Sequence, residues 1–236
     1  STRWHIAQGS LTSGTKGPIF AMNGVDTPQY WTGSTSDNFA NWTADSGTLP
    51  TTGKYLIYHA NRLWCASGSA LPSRLRFSGL SGSSPDTGAW DANHYVDFHP
   101  TDGQAITGVG TFGPYVLVFK ERKVFRIYDT ITGANQEVID GIGCAAHRSI
   151  VETDRGTFFL DESGVYVTDG ENVTLVSDAI TPLIEDASVL STFSNAAGTF
   201  ANNSYWLSLC TTGSTNNRTL EYDLNAEAWW IHDCAA

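Results

Sequence analysis

The chain has 236 residues, of which 23 are glycine, 12% are aromatic and only 16% are charged, a composition that favours short strands and turns over helices. Its formal net charge of −11 excludes a surface built to grip nucleic-acid phosphates, because such binding depends on Lys and Arg. No apolar run approaches the roughly 18 residues of a membrane span, so we expect no membrane insertion.

Two β-hairpins are predicted in the N-terminal part of the chain. The first, at residues 18–31, turns at Asn23-Gly24, because both residue types tolerate positive φ. The second, at residues 55–67, has an apolar strand, a short polar turn near Asn61 and another apolar strand. Both patterns are typical of antiparallel pairs.

The region that follows the second hairpin is predicted to contain more strands. Residues 74–78 alternate in polarity and form a third strand of this unit. Residues 81–88 are rich in Ser, Gly and Pro and are expected to form an extended loop. Residues 95–98 are read as one extra strand.

The third hairpin, at residues 113–129, places two apolar runs on either side of four charged residues. Val, Phe, Ile and Tyr suit a pleated surface, whereas a run of charge is expected in water at a loop. A further strand is predicted at residues 136–139. The charged tip gives the candidates for contact with a partner: Lys120, Glu121, Arg122 and Lys123.

Two more hairpins are predicted, at residues 156–168 and 197–210. A strand at residues 172–175 follows the first. The last unit shows all its strands plainly, since residues 218–223 and 228–231 complete a set of four.

A short connecting helix is predicted over residues 177–187, between the last two units. Ser177 is placed to act as an N-cap, and Ile180, Leu183 and Ile184 stand at helical spacing. This is the one helix that we expect.

The five hairpins recur with a common period. Their turns are separated by about 40 residues, except for one longer interval, and about four short strands per 40–50 residues are typical of a propeller blade. We therefore predict an all-β fold, a single β-propeller domain over residues 1–236, with five blades of about four antiparallel strands. The blade-like units lie near residues 8–50, 51–100, 101–148, 149–193 and 194–236.

A two-sheet sandwich would show strands at similar density, but the repeated order of strand, polar turn, strand, turn, strand does not suit a Greek key. A closed ring of sheets also needs an overlap between its ends. Residues 3–7 are expected to complete the last sheet, beside residues 228–231.

Several motifs suggest chemistry only weakly. Gly108–Gly113 matches G-x-G-x-x-G, but Pro114 and a strand follow where a dinucleotide site needs a helix, so we expect these glycines to serve a tight turn and no cofactor to bind. Of His94, Asp97 and His99, the last two are expected to share a strand face, which is too few ligands for a metal centre.

The cysteines do not favour a metal or disulfide framework either. Cys65, Cys144, Cys210 and Cys234 include no C-x-x-C pair. Cys65 and Cys210 stand in apolar strands and are expected to behave as small buried hydrophobes.

Two functional alternatives remain open on residue type alone. A glycosidase needs paired carboxylates, and Asp26, Asp97 and Asp161 are candidates, although Asp is also common in turns. A lectin-like site needs exposed aromatic rings for sugars to stack on. Its candidates are Trp31, Trp42 and Trp90.

Several stretches together resemble the β-propeller virion proteins of tailed bacteriophages. The similar stretches occur in the same order and span most of the chain. Their motifs are typical of strands and turns and include no catalytic signature. The stretches are residues 20–31, 56–67, 75–78, 116–120, 141–146 and 158–166.

This resemblance implies a non-enzymatic structural protein, a rigid module of the tail or tail hub. It implies other virion proteins as partners, a homo-oligomeric ring around the DNA exit path, and a location in the virion after synthesis in the host cytoplasm. No specific nucleic-acid binding is expected. The alternative function is a carbohydrate-binding propeller used in attachment to a cell surface.

Overall fold

The computed structural model describes residues 3–10, 16–66, 68–80, 88–186, 189 and 191–233. The chain forms two compact units, residues 1–106 and 107–236. Both are all-β, and the described residues form five antiparallel sheets of four strands each. The predicted fold class is thus confirmed at the level of four-stranded sheets with a short helix.

The first unit contains two of these sheets. Sheet 1 comprises the first four strands of the chain, β1 to β4, in chain order, and sheet 2 has the order β10-β8-β7-β6. A parallel pair, β5 and β9, lies beside them. The strands are β1 (His5–Ser10), β2 (Lys16–Met22), β3 (Gln29–Trp31), β4 (Ala40–Asn41), β5 (Ser46–Gly47), β6 (Tyr55–His59), β7 (Arg62–Ala66), β8 (Arg74–Phe77), β9 (Ala89–Trp90) and β10 (Tyr95–Asp97).

The hairpins predicted in this unit are present. β6 and β7 pair antiparallel through Ala60 and Asn61, whose φ values of 50° and 57° suit a tight hairpin turn. β2 and β3 also pair, but Asn23 contributes through its side chain, which accepts the backbone N–H groups of Val25 and Asp26. Only Gly24 has a positive φ, of 79°.

Two further predictions for this unit have different outcomes. The extra strand at residues 95–98 is β10, and it pairs with β8 as an edge strand of sheet 2. The expected overlap of residues 3–7 with the last sheet is wrong, because β1 pairs with β2 in sheet 1. Residues 81–87 of the predicted loop lie outside the described residues.

An aromatic core lies in the first unit. Phe20 of β2 contacts Trp42 at 4.6 Å between ring centroids, and Trp42 contacts Trp90 at 5.9 Å. Leu56 and Cys65 of sheet 2 belong to the same buried cluster. Burial of this apolar surface stabilises the packing of sheet 1 on sheet 2.

The second unit contains three sheets, each with its strands in chain order. Sheet 3 comprises β11–β14, sheet 4 comprises β15–β18 and sheet 5 comprises β19–β22. The strands are β11 (Ile106–Phe112), β12 (Tyr115–Lys120), β13 (Lys123–Asp129), β14 (Ala134–Asp140), β15 (Val151–Thr153), β16 (Gly156–Asp161), β17 (Gly164–Thr168), β18 (Val173–Leu175), β19 (Ala197–Ala201), β20 (Ser204–Leu209), β21 (Arg218–Asp223) and β22 (Ala228–Asp233).

Each neighbouring pair of sheets in this unit buries apolar side chains. Phe119 of sheet 3 meets Phe159 of sheet 4 at 4.9 Å between ring centroids. The opposite face of sheet 4 carries Phe158, which stacks on Tyr205 of sheet 5 at 4.9 Å. Sheet 4 is therefore covered on both faces, as its run of buried residues in β16 reflects.

The predicted connecting helix is shorter than expected. A 3-10 turn at Asp178–Ile180 leads into α1 (Thr181–Ile184), with Ile180 and Ile184 buried. Ser177 does not cap it, because its hydroxyl accepts the backbone N–H of Val165 instead. Residue 187 of the prediction lies outside the described residues.

The glycine-rich motif does not form the tight turn that we expected. Gly108 and Gly110 lie inside β11, and a Cβ on Gly110 would stand 2.7 Å from Ile150 Cγ2. Both glycines make room for the Ile150 side chain. Only Gly113, with a φ of 54°, occupies the turn into β12. Within the described ranges, no helix has the length and apolarity to cross a membrane.

Candidate functional site

A cleft of about 580 Å³ opens where the turns of sheets 3 and 4 lie side by side in the second unit. The β12–β13 turn contributes Glu121 and Arg122, and the β16–β17 turn contributes Glu162 and Ser163. The end of α1 adds Glu185. The cleft thus contains two of the four residues predicted to contact a partner.

Asp161 lines this cleft and ties the β16–β17 turn to the segment that follows β14. It is 6% exposed at the end of β16. One carboxylate oxygen accepts the backbone N–H of Gly143 at 3.0 Å, and the other accepts the N–H and the hydroxyl of Ser163 at 2.9 and 2.5 Å. Both oxygens are satisfied, so Asp161 acts as a structural anchor.

The remaining charges of the cleft face solvent. Glu121, Glu162 and Glu185 are exposed, and Arg122 lies 3.8 Å from Glu162 with both side chains about 70% exposed. A pair at this distance and exposure contributes little to stability. The cleft therefore presents an excess of carboxylates, which suits the salt bridges of a basic partner segment.

The other two predicted contact residues lie in the strands rather than in the turn. Lys120, expected in water, is fully buried as the last residue of β12. Lys123 begins β13, and its ammonium group contacts Asp140 at 2.8 Å and Glu137 at 3.4 Å. These bonds raise the pKa of Lys123, the hydrogen bond to Asp140 most of all. The exposed tip is only Glu121 and Arg122.

The tryptophans proposed for sugar stacking are not exposed as a set. Trp42 is 3% exposed and Trp90 is completely buried, so both serve the aromatic core of the first unit. Trp31 is half-buried, and its indole N–H donates to the carbonyls of Ser34 and Asp37. The prediction that these tryptophans are exposed for sugar stacking is therefore wrong for Trp42 and Trp90.

The polar residues near β10 form separate contacts. Asp97 accepts two hydrogen bonds of 2.7 Å from Arg74. His99 lies beyond the strand with a φ of 42°, so it does not share a strand face with Asp97 as expected. His94 stacks on Phe77 at 5.0 Å. In the parts of the chain that the structure describes, no group of three or more His, Cys, Asp or Glu could hold a metal.

The candidate carboxylates for hydrolysis have local partners. Asp26 accepts a hydrogen bond from the side-chain amide of Asn23 at 2.6 Å, Asp97 pairs with Arg74, and Asp161 bonds to Gly143 and Ser163. Cys65, Cys144 and Cys210 are buried, which confirms the expectation for Cys65 and Cys210, and burial raises the pKa of Cys144 to about 12. Cys234 lies outside the described residues.

A second, smaller groove of about 330 Å³ lies elsewhere between sheets 3 and 4. Arg126 of β13 lies along it, donating to Glu171 at 2.7 Å and to Gln136 at 3.1 Å. Its guanidinium group stands 5.0 Å from the centroid of the Tyr115 ring. Arg126 thus links β13, β14 and the β17–β18 turn.

Sequence reasoning missed the contributions of Asp161, Ser163 and Glu185 to the cleft. Glu185 follows a helix and Ser163 lies in a hairpin turn more than twenty residues earlier, so no local pattern joins them. The sequence feature that could have indicated the cleft is the acidic pair Asp161-Glu162, because Glu162 occupies the same place in its hairpin as Glu121 does in the preceding one.

No family model matches the chain, and no curated protein matches it either. Solved structures do match. The extracellular domain of the putative hybrid two-component system BT4673 from B. thetaiotaomicron aligns with a TM-score of 0.55 and 11% identity, covering 89% of this chain and 26% of that one.

PorZ, described as an essential surface component of the type-IX secretion system of Porphyromonas gingivalis, aligns with a TM-score of 0.52 and 14% identity. The match covers 98% of this chain and 26% of PorZ. The chain therefore spans about a quarter of the length of either protein. At these identities the similarity concerns the fold alone.

Proposed function

We propose that the protein is a non-enzymatic structural component of a tailed bacteriophage particle, a rigid module of the tail or tail hub. In this proposal the five four-stranded sheets are the blades of one β-propeller. The observation that carries it is the repeated sheet: four antiparallel strands, formed five times along the chain, four of those times strictly in chain order.

The assignment to a phage tail rests on the sequence resemblance described above. An assembly role is supported by the local structural contacts of the carboxylates considered for catalysis, since each of them bonds to a neighbouring residue and not to another carboxylate. The net charge of −11 also supports the proposal, because a module that lines a DNA path should not retain DNA and a negative surface repels phosphates.

The acidic cleft is the surface through which the module docks in this proposal. Its exposed carboxylates, Glu121, Glu162 and Glu185, would receive a basic segment of a neighbouring virion protein. Such charges act mainly on the rate and register of association. The neighbours include further copies of this chain in a homo-oligomeric ring.

The first experiment asks whether the chain is part of the particle. Phage particles purified by density gradient are probed with an antibody against the recombinant protein, followed by gold labelling in electron micrographs. We expect the chain to band with infectious particles and label the tail. Its absence from banded particles would exclude the proposal.

The second experiment tests the cleft with a matched charge reversal. In cells that supply the chain only from a plasmid, Glu162→Lys is expected to reduce incorporation into particles, because it reverses an exposed charge of the cleft. Asp154→Lys, at an exposed acid in the β15–β16 turn, is the control and should be incorporated normally. Equal incorporation of both variants would exclude the cleft as the docking surface.

A further inference from the structure

The outer face of sheet 5 combines two tryptophans with an acid and an imidazole. Cross-strand pairing puts Trp206, Glu221 and Trp230 in one row, with Glu221 between the two indoles. Because paired residues share a face, all three side chains lie on the same side of the sheet. The other side packs on sheet 4 through Tyr205 and Leu207.

This face is accessible and internally ordered. Trp230 is 44% exposed, and the His232 side chain is 46% exposed. His232 contacts the Glu221 carboxylate at 2.9 Å and lies 5.2 Å from the Trp206 ring. Trp206 donates its indole N–H to the Ala201 carbonyl at 3.2 Å. The ring of Trp206 is thus fixed without using the Glu221 carboxylate.

The corresponding faces of the two preceding sheets have a different composition. In sheet 3 that face carries Leu117 and Phe119, and in sheet 4 it carries Phe158 and Leu160, all buried by the next sheet. In sheet 5 the same side carries a carboxylate, an imidazole and hydroxyls, including the Ser208–Thr219 pair at 3.0 Å. On this side, sheet 5 therefore carries hydrogen-bonding groups where sheets 3 and 4 carry buried apolar side chains.

We propose that this face binds a neutral oligosaccharide. Indole rings supply flat apolar surfaces, and Glu221 and His232 supply the acceptor and donor that sugar hydroxyls require. Trp206 and Trp230 stand two strands apart, roughly 10 Å between their backbones, so the ligand that covers both is longer than one sugar ring.

Charge decides between this ligand and other partners. The Glu221 carboxylate lies between the two rings, in a chain with a net charge of −11, which disfavours acidic glycans and nucleic acids. The cores of protein–protein interfaces are depleted in charged residues, whereas here a charged residue is central. A neutral polyol is the partner that satisfies both features. This inference is independent of the location of the chain in a phage particle.

The test uses an array of neutral oligosaccharides of glucose, galactose, mannose and N-acetylglucosamine, followed by titration of any ligand found with the full chain. We expect binding to at least one of them. Trp230→Ala should weaken it about tenfold or more, which corresponds to about 1.4 kcal/mol, and Trp230→Phe should retain most of it. Tyr128→Ala, which removes a 53% exposed aromatic ring from sheet 3, should bind like the wild type.

Two outcomes would overturn the inference. The first is silence across the array, or equal binding by the wild type and Trp230→Ala. The second is a wild-type dimer in light scattering that Trp230→Ala converts to monomer, because the face would then be an interface between copies. Particle incorporation of Trp230→Ala should be normal, which separates failure here from failure of the phage proposal.

Discussion

Buried serines supply hydrogen bonds that the sheets themselves leave unmade. Ser149 is completely buried; its hydroxyl donates to the Ala146 carbonyl at 2.7 Å and accepts the Leu160 N–H at 2.9 Å. Ser177 serves the Val165 N–H in the same way. A buried N–H without a partner costs free energy, so each hydroxyl fixes a strand to the segment that enters or leaves its sheet.

Ser149→Ala should therefore destabilise the protein. The substitution leaves the Leu160 N–H buried without its partner, and we expect the free energy of unfolding to fall by about 1–3 kcal/mol. Urea unfolding followed by tryptophan fluorescence measures this. Ser214→Ala, at an exposed serine in a loop of the same unit, is the control and should change it by less than about 0.5 kcal/mol. Equal stability of the two variants would contradict the role assigned to Ser149.

At the scale of residues, the charges of residues 120–123 predicted where the hairpin turns, but not which of the four side chains face solvent. The charge of the run from Lys120 to Lys123 predicts one solvated loop, but the turn needs only Glu121 and Arg122. The strands extend by one residue on either side, so Lys120 is buried in β12 and Lys123 pairs with carboxylates of β14. A count of charges does not reveal how few residues a hairpin turn requires.

At the scale of elements, hairpins were predictable because their signals are local. The turns at Asn61 and Asn203 both place residues at positive φ, which Asn tolerates. The parallel pair of β5 and β9 was not predicted, since it joins two-residue segments more than forty residues apart. The helix was predicted too long: residues 178–180 form a 3-10 turn, α1 ends at Ile184, and Ser177 bonds to a strand instead of capping the helix.

The β17–β18 turn gives an element-scale prediction about pH. Asp169 accepts the backbone N–H groups of Asn172 and Glu171 at 2.7 and 2.8 Å. These bonds, that from Asn172 foremost, lower the pKa of Asp169 below 3.8. The unfolded chain therefore binds the proton more readily, so the turn stabilises the fold above about pH 4 and loses this contribution as the pH falls through the folded pKa.

Asp169→Asn should reduce that acid sensitivity, because the amide oxygen can still accept the turn's N–H groups but does not titrate. We expect the difference in melting temperature between about pH 6 and pH 3 to be smaller than in the wild type. Asp154→Asn, in the neighbouring β15–β16 turn, should leave the difference unchanged. A wild-type pH dependence in Asp169→Asn would show that the turn carboxylate is not responsible.

At the scale of the whole molecule, the sequence predicted the repeat of four-stranded sheets but not the partner of the N-terminal strand. Five sheets of four strands follow from the repeated alternation of apolar strands and polar turns. The predicted overlap between the chain ends is wrong, because residues 5–7 belong to β1, which pairs with β2 in sheet 1 and is not part of sheet 5. An edge strand can pair with any free edge, so alternation alone does not specify its partner.

The charge of the whole molecule gives the last prediction, that the chain does not bind duplex DNA. It has 24 acidic and 13 basic residues, and several of the basic side chains already pair with carboxylates, among them Arg74, Lys123, Arg126 and Arg155. Binding to phosphates would have to break these pairs against a net repulsion that extends about 10 Å at about 0.1 M salt. Fluorescence anisotropy of a labelled duplex should therefore stay constant as protein is added. A saturable increase in anisotropy that weakens steeply with salt would contradict this prediction. It would also contradict the proposal that the protein lines a DNA path in the particle without retaining DNA.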